Sequence, residues 1–416
     1  MRNKDEGEDF LSEIYSFLKN DSEGASVKTL FELISEKKEE MGVSNYQMAD
    51  ILGIDKTTFS RILKKIEEGG TQNVDFYSIL KICQFLGIGI DEMSKLFVAH
   101  LSPDQIGELE LSRKANYIIT TFDLKGLRDS GFIDTITDFK KIENRIITFF
   151  GLTSIFQYKT EVGAVAFSRT KASSADKMRE FWVRAAHYQF SKIDNPNEFN
   201  RNELLSLIPK IAPYSRYVEK GFHHVIQALY NIGITVIVQG YLTKTQIRGG
   251  TFAVNNKPCI VVTDFNKSYP YLWFALMHEI YHVLYDFEQL KTHTYHLTGE
   301  PQSELLLFRE PEADAFAWEM LFPKEKREYI KHVIKYDETV FNYAKENLVH
   351  PGIVYASYCE DLKNSTKKSE YGFYQHHFGK SQKAVHAVKS NPWDKAVTCI
   401  DDEMEKIKES LKIQYQ

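Results

Sequence analysis

The stretch YLWFALMHEIYHVLYDF occupies residues 271 to 287 and contains the string HEIYH, in which His278 and His282 are four residues apart. Nearly every other position is apolar or aromatic, so the stretch predicts a buried helix. Residues four apart share one face of a helix, and both imidazoles can therefore bind one metal ion. Glu279 follows the first histidine and can act as base for a metal-bound water, as in zinc-dependent hydrolases.

The alternative is a helix that carries two ordinary histidines. The apolar surroundings argue against it, because two imidazoles and a carboxylate are costly to bury unless they are paired or bind a metal ion. The sequence therefore favours a metal centre at this helix.

A catalytic zinc site usually has a third protein ligand and keeps one position for water. A third histidine ten residues after His278 is ruled out, because that position is Glu288. The segment REPEADAFAWEMLFP, residues 309 to 323, predicts a second helix whose first turn contains Glu310. This carboxylate is the candidate third ligand. The alternative is an acidic residue that only stabilises the amino terminus of its helix.

The predicted second helix has one face suited to close packing. Glu310, Ala313, Asp314 and Ala317 follow the spacing i, i+3, i+4 and i+7, and the two alanines allow a close approach to the HEIYH helix. Asp314 could then accept a hydrogen bond from the far nitrogen of a ligand histidine and fix the orientation of its ring.

The two segments together resemble the ImmA/IrrE-type zinc metallopeptidases, whose pattern is HExxH, then ExxA(N/D)xFA and a short run that ends in proline. The similarity covers roughly residues 175 to 360 and includes VHPGIVYASY at 349 to 358. It implies a Zn2+ cofactor held by His278, His282 and Glu310, with Glu279 as the catalytic base. Ser357 stands where that family has a basic residue, so no role is carried over to this position.

The residues before the HEIYH helix predict a small sheet. ITVIVQ at 234 to 239 is typical of a strand, and residues 250 to 254 and 258 to 263 predict a hairpin that turns at Asn255-Asn256. Residues 248 to 254 are the candidate edge strand along which an extended substrate could add. The alternative is that the hairpin serves only sheet packing. An oxyanion donor is not singled out, and His350, Tyr295 and His296 are candidates.

A second module precedes this region at residues 27 to 100. Ser44 and Asp55 are typical helix caps, and Gly53-Ile54-Asp55 predicts a tight turn between two short helices. This is the helix-turn-helix pattern. The module resembles the Cro/repressor-type (XRE) DNA-binding domain, which implies a double-stranded DNA operator as partner.

The second helix of this pair would enter the major groove. The candidate DNA-binding residues are Gln47, Lys56, Thr57, Ser60, Arg61 and Lys64. The module holds 9 basic and 11 acidic residues, a net charge of −2, so its DNA affinity must come from this local cluster and from dimeric half-sites. The alternative is a helical module used for protein contact.

The chain of 416 residues predicts several domains. We expect an N-terminal arm (1–26), the helix-turn-helix domain (27–100), a linker or regulatory region (101–174), the metallopeptidase domain (175–364) and a C-terminal extension (365–416). The four scattered cysteines exclude a zinc ribbon and are typical of a reducing cytoplasm. Neither a signal peptide nor an apolar run of membrane length is present, so we expect no membrane partner.

The expected fold class is α+β and multidomain, with an all-α helix-turn-helix domain before a zincin-like (gluzincin) peptidase domain. The expected function is a cytoplasmic, dimeric DNA-binding regulator with zinc endopeptidase activity. Its substrate would be a helix-turn-helix repressor or antitoxin, either a partner or the chain itself, cut in response to stress or phage signals. The alternative is a DNA-binding regulator or antitoxin-like component whose peptidase-like domain is a catalytically inert sensor.

Overall fold

The computed structural model describes residues 29–68, 74–90, 93, 103–161, 174–263, 267–293, 295–298 and 310–412. The chain divides into two compact units, Met1–Ser112 and Arg113–Gln416. The arm expected at residues 1–26 lies outside the described residues. Among the described helices, none has the length and apolar character that crossing a membrane requires.

The first unit is helical, and its described helices are α1 (Leu30–Glu40), α2 (Asn45–Leu52), α3 (Lys56–Glu67) and α4 (Phe76–Phe85). Side-chain caps set the boundaries of α2 and α3. The Ser44 hydroxyl accepts from the backbone N–H of Gln47, and the Asp55 carboxylate accepts from that of Thr58. Gly53 ends α2 with a φ of 62°, a left-handed conformation that glycine adopts at little cost.

One hydrophobic core holds the four helices together. Phe59 and Ile62 of α3 are buried in it, together with Met48 and Ala49 of α2. The inward residues of α3 recur at three- and four-residue intervals, so the opposite face of this helix is left to solvent.

The division between the units falls within α5 (Pro103–Thr121). The later helices are α6 (Leu124–Asp129), α7 (Phe139–Phe150), α8 (Tyr158–Glu161), α9 (Ser174–Ile193), α10 (Arg201–Ile211), α11 (Gly221–Asn231), α12 (Tyr269–Tyr285), α13 (Phe287–His293), α14 (Glu310–Leu321), α15 (Lys324–Ile330), α16 (Asp337–Glu346), α17 (Pro351–Thr366), α18 (Tyr371–Tyr374), α19 (Gln382–Val385) and α20 (Asp401–Leu411). Short 3-10 turns lie at Ile155–Gln157, Ala212–Arg216 and Gln375–His377.

A small mixed sheet accompanies these helices, so the fold class is α+β. Its strands are β1 (Thr235–Gln239), β2 (Gly249–Val254), β3 (Lys257–Thr263), β4 (Tyr295–Thr298) and β5 (Lys389–Ser390), in the order β4-β2-β3-β1-β5. Strand β1 is parallel to β3 and β5, whereas β2 is antiparallel to β3 and β4. The β2–β3 hairpin turns at Asn255 and Asn256, which have φ values of 51° and 62°.

The expectation that residues 248 to 254 form the sheet edge is wrong. Strand β4 pairs along the outer side of β2, with Thr298 opposite Gly249 and Tyr295 opposite Phe252. The physical reason is that an unpaired strand would leave a row of backbone donors and acceptors open, and this chain satisfies them with its own later residues.

The segments around the predicted peptidase region share its core. Phe132, Phe149 and Phe150, from the region whose role the sequence left open, belong to the same buried cluster as α12 and the sheet. Arg145 donates to the backbone carbonyl of Val397, which joins this region to the C-terminal residues. The described residues 113–161 and 365–412 therefore belong to the second unit.

Candidate metal centre and candidate nucleic-acid interface

The HEIYH residues lie in the middle of α12, which is buried along almost its whole length. The helix begins after Ser268 and has Pro270 in its first turn, where the missing N–H of proline costs no hydrogen bond. It packs against β2 and β3 on one side and against α14 on another. His278, Glu279 and His282 are each at most 1 % exposed.

Helix α14 brings the carboxylate of Glu310 to the two histidines. Ala313 and Ala317 are fully buried at its contact with α12, and their small side chains allow the two helices to approach closely. Glu310 is the first residue of α14, so its side chain extends from the helix end towards the imidazoles.

The three side chains converge on one point. The Nε2 atoms of His278 and His282 are 3.2 Å apart. One carboxylate oxygen of Glu310 lies 3.5 Å from Nε2 of His278, and the other lies 3.3 Å from Nε2 of His282. All three ligand atoms lie within 4.8 Å of one another, so these residues could hold a metal ion.

Each histidine is oriented by a carboxylate at its other ring nitrogen. Nδ1 of His278 lies 2.8 Å from Asp314, and Nδ1 of His282 lies 2.8 Å from Asp286. A carboxylate accepts hydrogen bonds, so both Nδ1 atoms act as donors and both Nε2 atoms are directed at one point. With neutral rings these two Nε2 atoms and the Glu310 carboxylate are suitable ligands, and the donor set therefore fits a metal ion.

The charges around the histidines also favour a cation. Burial lowers the pKa of His278, but the hydrogen bonds to Asp314 and Glu310 and the charge of Glu279 outweigh it and raise this pKa to about 10. Burial likewise opposes the shift at His282, whose pKa is raised by Asp286 and Glu310. The negative carboxylates that stabilise the protonated histidines also attract a metal cation to the same ring nitrogens.

Glu279 faces β2 and is held there. The Thr251 hydroxyl donates to its carboxylate at 2.7 Å. A methyl group at Gly249 would lie 2.6 Å from the other carboxylate oxygen, a distance that Cβ atoms essentially never show, so one of the two would have to move. Gly249 and Thr251 lie on the same face of β2. The glycine leaves room for the Glu279 carboxylate and the hydroxyl binds it.

Three of these contacts were missed by the sequence reasoning. Asp286 follows His282 at the same four-residue spacing that revealed the histidine pair, so one more turn of the helix would have indicated it. Gly249 and Thr251 gave no local signal, because their contact with Glu279 joins residues about thirty positions apart in the sequence.

The candidate oxyanion donors have other surroundings. His350 caps α17, where its Nδ1 accepts from the backbone N–H of Gly352 at 3.0 Å, and burial lowers its pKa to about 4. The backbone of Tyr295 and His296 lies in β4. Ser357 is fully buried, and its hydroxyl donates to the carbonyl of Val354.

Most of the predicted DNA-contact residues are exposed on the first unit. Those exposed on α3 are Thr57, Ser60, Arg61 and Lys64. The Lys56 ammonium lies 3.2 Å from the ring centroid of Tyr46, and the Gln47 side chain accepts from the backbone N–H of Ser44 at 2.9 Å. The solvent face of α3 therefore carries hydroxyl and cationic donors, with Gln47 held at the start of α2.

Comparison of the chain with protein-family models, curated proteins and solved structures finds no match.

Proposed function

We propose that this chain is a zinc-dependent endopeptidase with an N-terminal DNA-binding domain. The observation that carries the proposal is the meeting of His278, His282 and Glu310 at one point, with the buried carboxylate of Glu279 beside them. The HEIYH and EPEADAFA segments, similar to ImmA/IrrE-type metallopeptidases, support the same conclusion and the same zincin-like fold class.

The donor set favours zinc among the possible metals. Two imidazole nitrogens and one carboxylate oxygen are a common protein ligand set of catalytic zinc, which keeps a further position for water. When bound, zinc would lower the pKa of that water and polarise the carbonyl of a peptide bond.

The protein groups divide the remaining work. Glu279 accepts the proton of the attacking water and returns it to the leaving amine. Thr251 donates to the carboxylate of Glu279 and fixes its position, while Asp286 and Asp314 fix the orientation of the two imidazoles. Preorganised groups of this kind lower the barrier because they need no rearrangement during the reaction.

A purely structural or sensory metal site is the alternative function. Such a site needs no base, yet Glu279 is fully buried next to the ligands and accepts a hydrogen bond from Thr251. Burial of a carboxylate is costly, so its retention at this place supports a catalytic role.

The first unit supports a regulatory role through DNA. Helices α2 and α3 meet at a tight turn, and α3 exposes Arg61 and Lys64 beside two hydroxyl side chains. We propose that α3 enters the major groove of an operator and that two copies of the chain bind its half-sites. The four free cysteines support a reducing cytoplasm as the place of action.

Since repressor-like and peptidase-like parts share one chain, we propose that the substrate is a helix-turn-helix repressor. It is either this chain, in the same copy or its dimer mate, or a separate repressor or antitoxin. Cleavage would separate a DNA-binding domain from the rest of its chain and release the repressed genes in response to stress or phage signals.

The intact mass of the zinc-loaded chain tests the enzymatic part. We expect the wild type to be cut and Glu279→Gln, which keeps the shape of the side chain, to stay whole while both bind one zinc ion. If the wild-type chain is not cut, helix-turn-helix proteins are added as separate substrates and their cleavage is measured. The peptidase proposal fails if neither the chain nor an added repressor is cut, and the inert sensor then stands.

DNA binding is tested separately by selecting double-stranded sequences from a random pool with the Glu279→Gln chain. We expect enrichment of a motif with two half-sites and a weaker enrichment with Arg61→Ala. Enrichment of no motif would support the alternative that the first unit contacts protein.

A further inference from the structure

A cavity of about 680 Å³ adjoins the candidate metal centre. Tyr271, Phe274, Ala275 and His278 line it, and this spacing of i, i+3, i+4 and i+7 places them on one face of α12. The face extends ~10 Å along the helix axis, the length of about three extended peptide residues. The cavity thus leads from a candidate metal ligand towards the amino terminus of α12.

The charge of the cavity lining is mainly positive. Arg248, Lys267 and Lys380 line it and are exposed at its rim. No carboxylate in the described part of the chain forms an ion pair with these three side chains. The lining residue Glu360 already accepts from Tyr271 and lies 4.0 Å from Lys363.

The backbones of Lys267 and Lys380 lie on two hydrogen-bonded segments. Ser268 and Lys380 form an antiparallel bridge, and the backbone N–H of Ser381 donates to the carbonyl of Lys267 at 3.0 Å. This bridge places Lys267 and Lys380 at the end of the cavity that lies at the start of α12. Two cations that line the same end of the cavity attract an anion to it.

Hydroxyl donors at the same end are buried without a hydrogen bond. Ser381 is 1 % exposed and lines the cavity, and its hydroxyl has no hydrogen-bond partner within the described structure. The Ser268 hydroxyl is also buried and has no hydrogen-bond partner within the described structure. Both serines line the cavity, and buried polar groups are usually paired, so these two hydroxyls lack the partner that such groups normally have.

The walls of the cavity are aromatic. Tyr271, Tyr371 and Phe378 line it, and the two tyrosine hydroxyls are hydrogen-bonded at 2.6 Å. Such walls contact the apolar part of a peptide residue, while the rim cations and the serine hydroxyls suit a terminal acceptor.

We propose that this cavity binds a carboxylate of the peptide substrate on one side of the bond that is cut. The inference rests on the proposed peptidase function and narrows it to substrates with an acidic group near the cleaved bond. The carboxylate comes from a glutamate or aspartate side chain or from the free C-terminus of the peptide, and the two sources are separable by experiment.

Binding of three acetylated alanine-rich heptapeptides to zinc-loaded Glu279→Gln chain tests the proposal by calorimetry. One peptide has a central glutamate and an amidated end, one a central glutamine and a free carboxylate, and one a central glutamine and an amidated end. We expect one of the acidic peptides to bind about fivefold more tightly than the neutral peptide, the gain of a partly exposed ion pair. Which acidic peptide gains identifies the source of the carboxylate.

Lysine variants locate the effect in the cavity. The double variant Lys267→Gln, Lys380→Gln should lose the preference for the acidic peptide. Lys383→Gln removes a neighbouring exposed lysine that does not line the cavity, and it should keep the preference. Equal binding of all three peptides, binding of none, or a preference that survives in the double variant overturns the proposal.

Hydrolysis by the wild type separates this proposal from the peptidase function. Tighter binding of an acidic peptide without hydrolysis of any peptide or repressor would refute the proposed peptidase function but not the carboxylate site. Hydrolysis that is indifferent to the acidic group would refute the carboxylate site alone.

Discussion

Replacing Asp286 by asparagine is expected to weaken metal binding more than the same replacement of Asp314. Both carboxylates lie 2.8 Å from Nδ1 of a candidate ligand histidine. Their surroundings differ, because the side chain of Asp286 is 2 % exposed and that of Asp314 is 57 % exposed. The same replacement therefore removes a charge from a buried site at Asp286 and from a largely solvated site at Asp314.

The magnitudes follow from this difference in exposure. A hydrogen bond to a buried charged group contributes about 1.5–3 kcal/mol, which corresponds to roughly a tenfold to hundredfold change in metal affinity. An exposed charged pair contributes about 0.2–1 kcal/mol, or at most roughly fivefold. We expect Asp286→Asn to weaken zinc binding at least several times more than Asp314→Asn.

Competition with a chelating indicator dye measures the zinc affinity of each variant at one pH and ionic strength. Glu312→Gln is the matched control, since it removes one exposed acid from the same helix as Asp314 and should leave the affinity unchanged. Thermal unfolding of the metal-free variants checks that the fold is kept. Equal losses at the two aspartates, or no loss in Asp286→Asn, would refute the reasoning from burial.

Three further results are expected. Gly249→Ala places a methyl group 2.6 Å from a Glu279 oxygen, so the rate of peptide hydrolysis should fall by about a hundredfold. Zinc affinity, measured by dye competition, should be kept. An unchanged rate of hydrolysis would contradict the role of Gly249 in positioning this carboxylate. His278, whose pKa is raised from 6.5 to about 10, binds its proton more tightly in the folded metal-free chain, and this stabilisation is complete below pH 6.5 and lost as the pH rises towards 10. Urea unfolding should therefore show stability declining over this range, with a smaller decline in His278→Ala, in which His282 still has a raised pKa. Arg61→Ala should weaken operator binding in a mobility-shift assay by roughly tenfold and leave the free energy of unfolding unchanged. Lys37→Ala on α1 is the control and should change neither operator binding nor unfolding. Equal losses of operator binding in both variants would indicate only a general charge effect.

The metal ligands could be predicted because their signals are local. His278 and His282 share a helix face through their spacing, and Glu310 begins a helix whose alanines mark its packing face. The hairpin turn at Asn255-Asn256 and the caps of α2 and α3 were also local features of residue type. Each of these features depends on side chains within one or two turns of the chain.

The remainder depends on contacts between distant segments. No local pattern indicates that Gly249 must be small for the sake of Glu279, or that Arg145 reaches the carbonyl of Val397. Strand pairing has the same character, because β2 and β4 are separated by two helices and by β3. The hydrophobic pattern of β2 shows that it is a buried strand but does not show which segment lies along its outer side.

The pairing of β4 with β2 occupies the backbone groups that an extended peptide would need in order to add to β2. An extended peptide that adds to β2 must form the backbone hydrogen bonds that residues 295–298 already form. The resident strand is tethered, and a short tether gives a segment an effective concentration in the millimolar range. A free peptide at micromolar concentration cannot match this unless other contacts strengthen its binding. For the proposed peptidase, the resident strand would therefore raise the affinity that a peptide needs in order to bind at β2, and a peptide that offers only its backbone would not displace it.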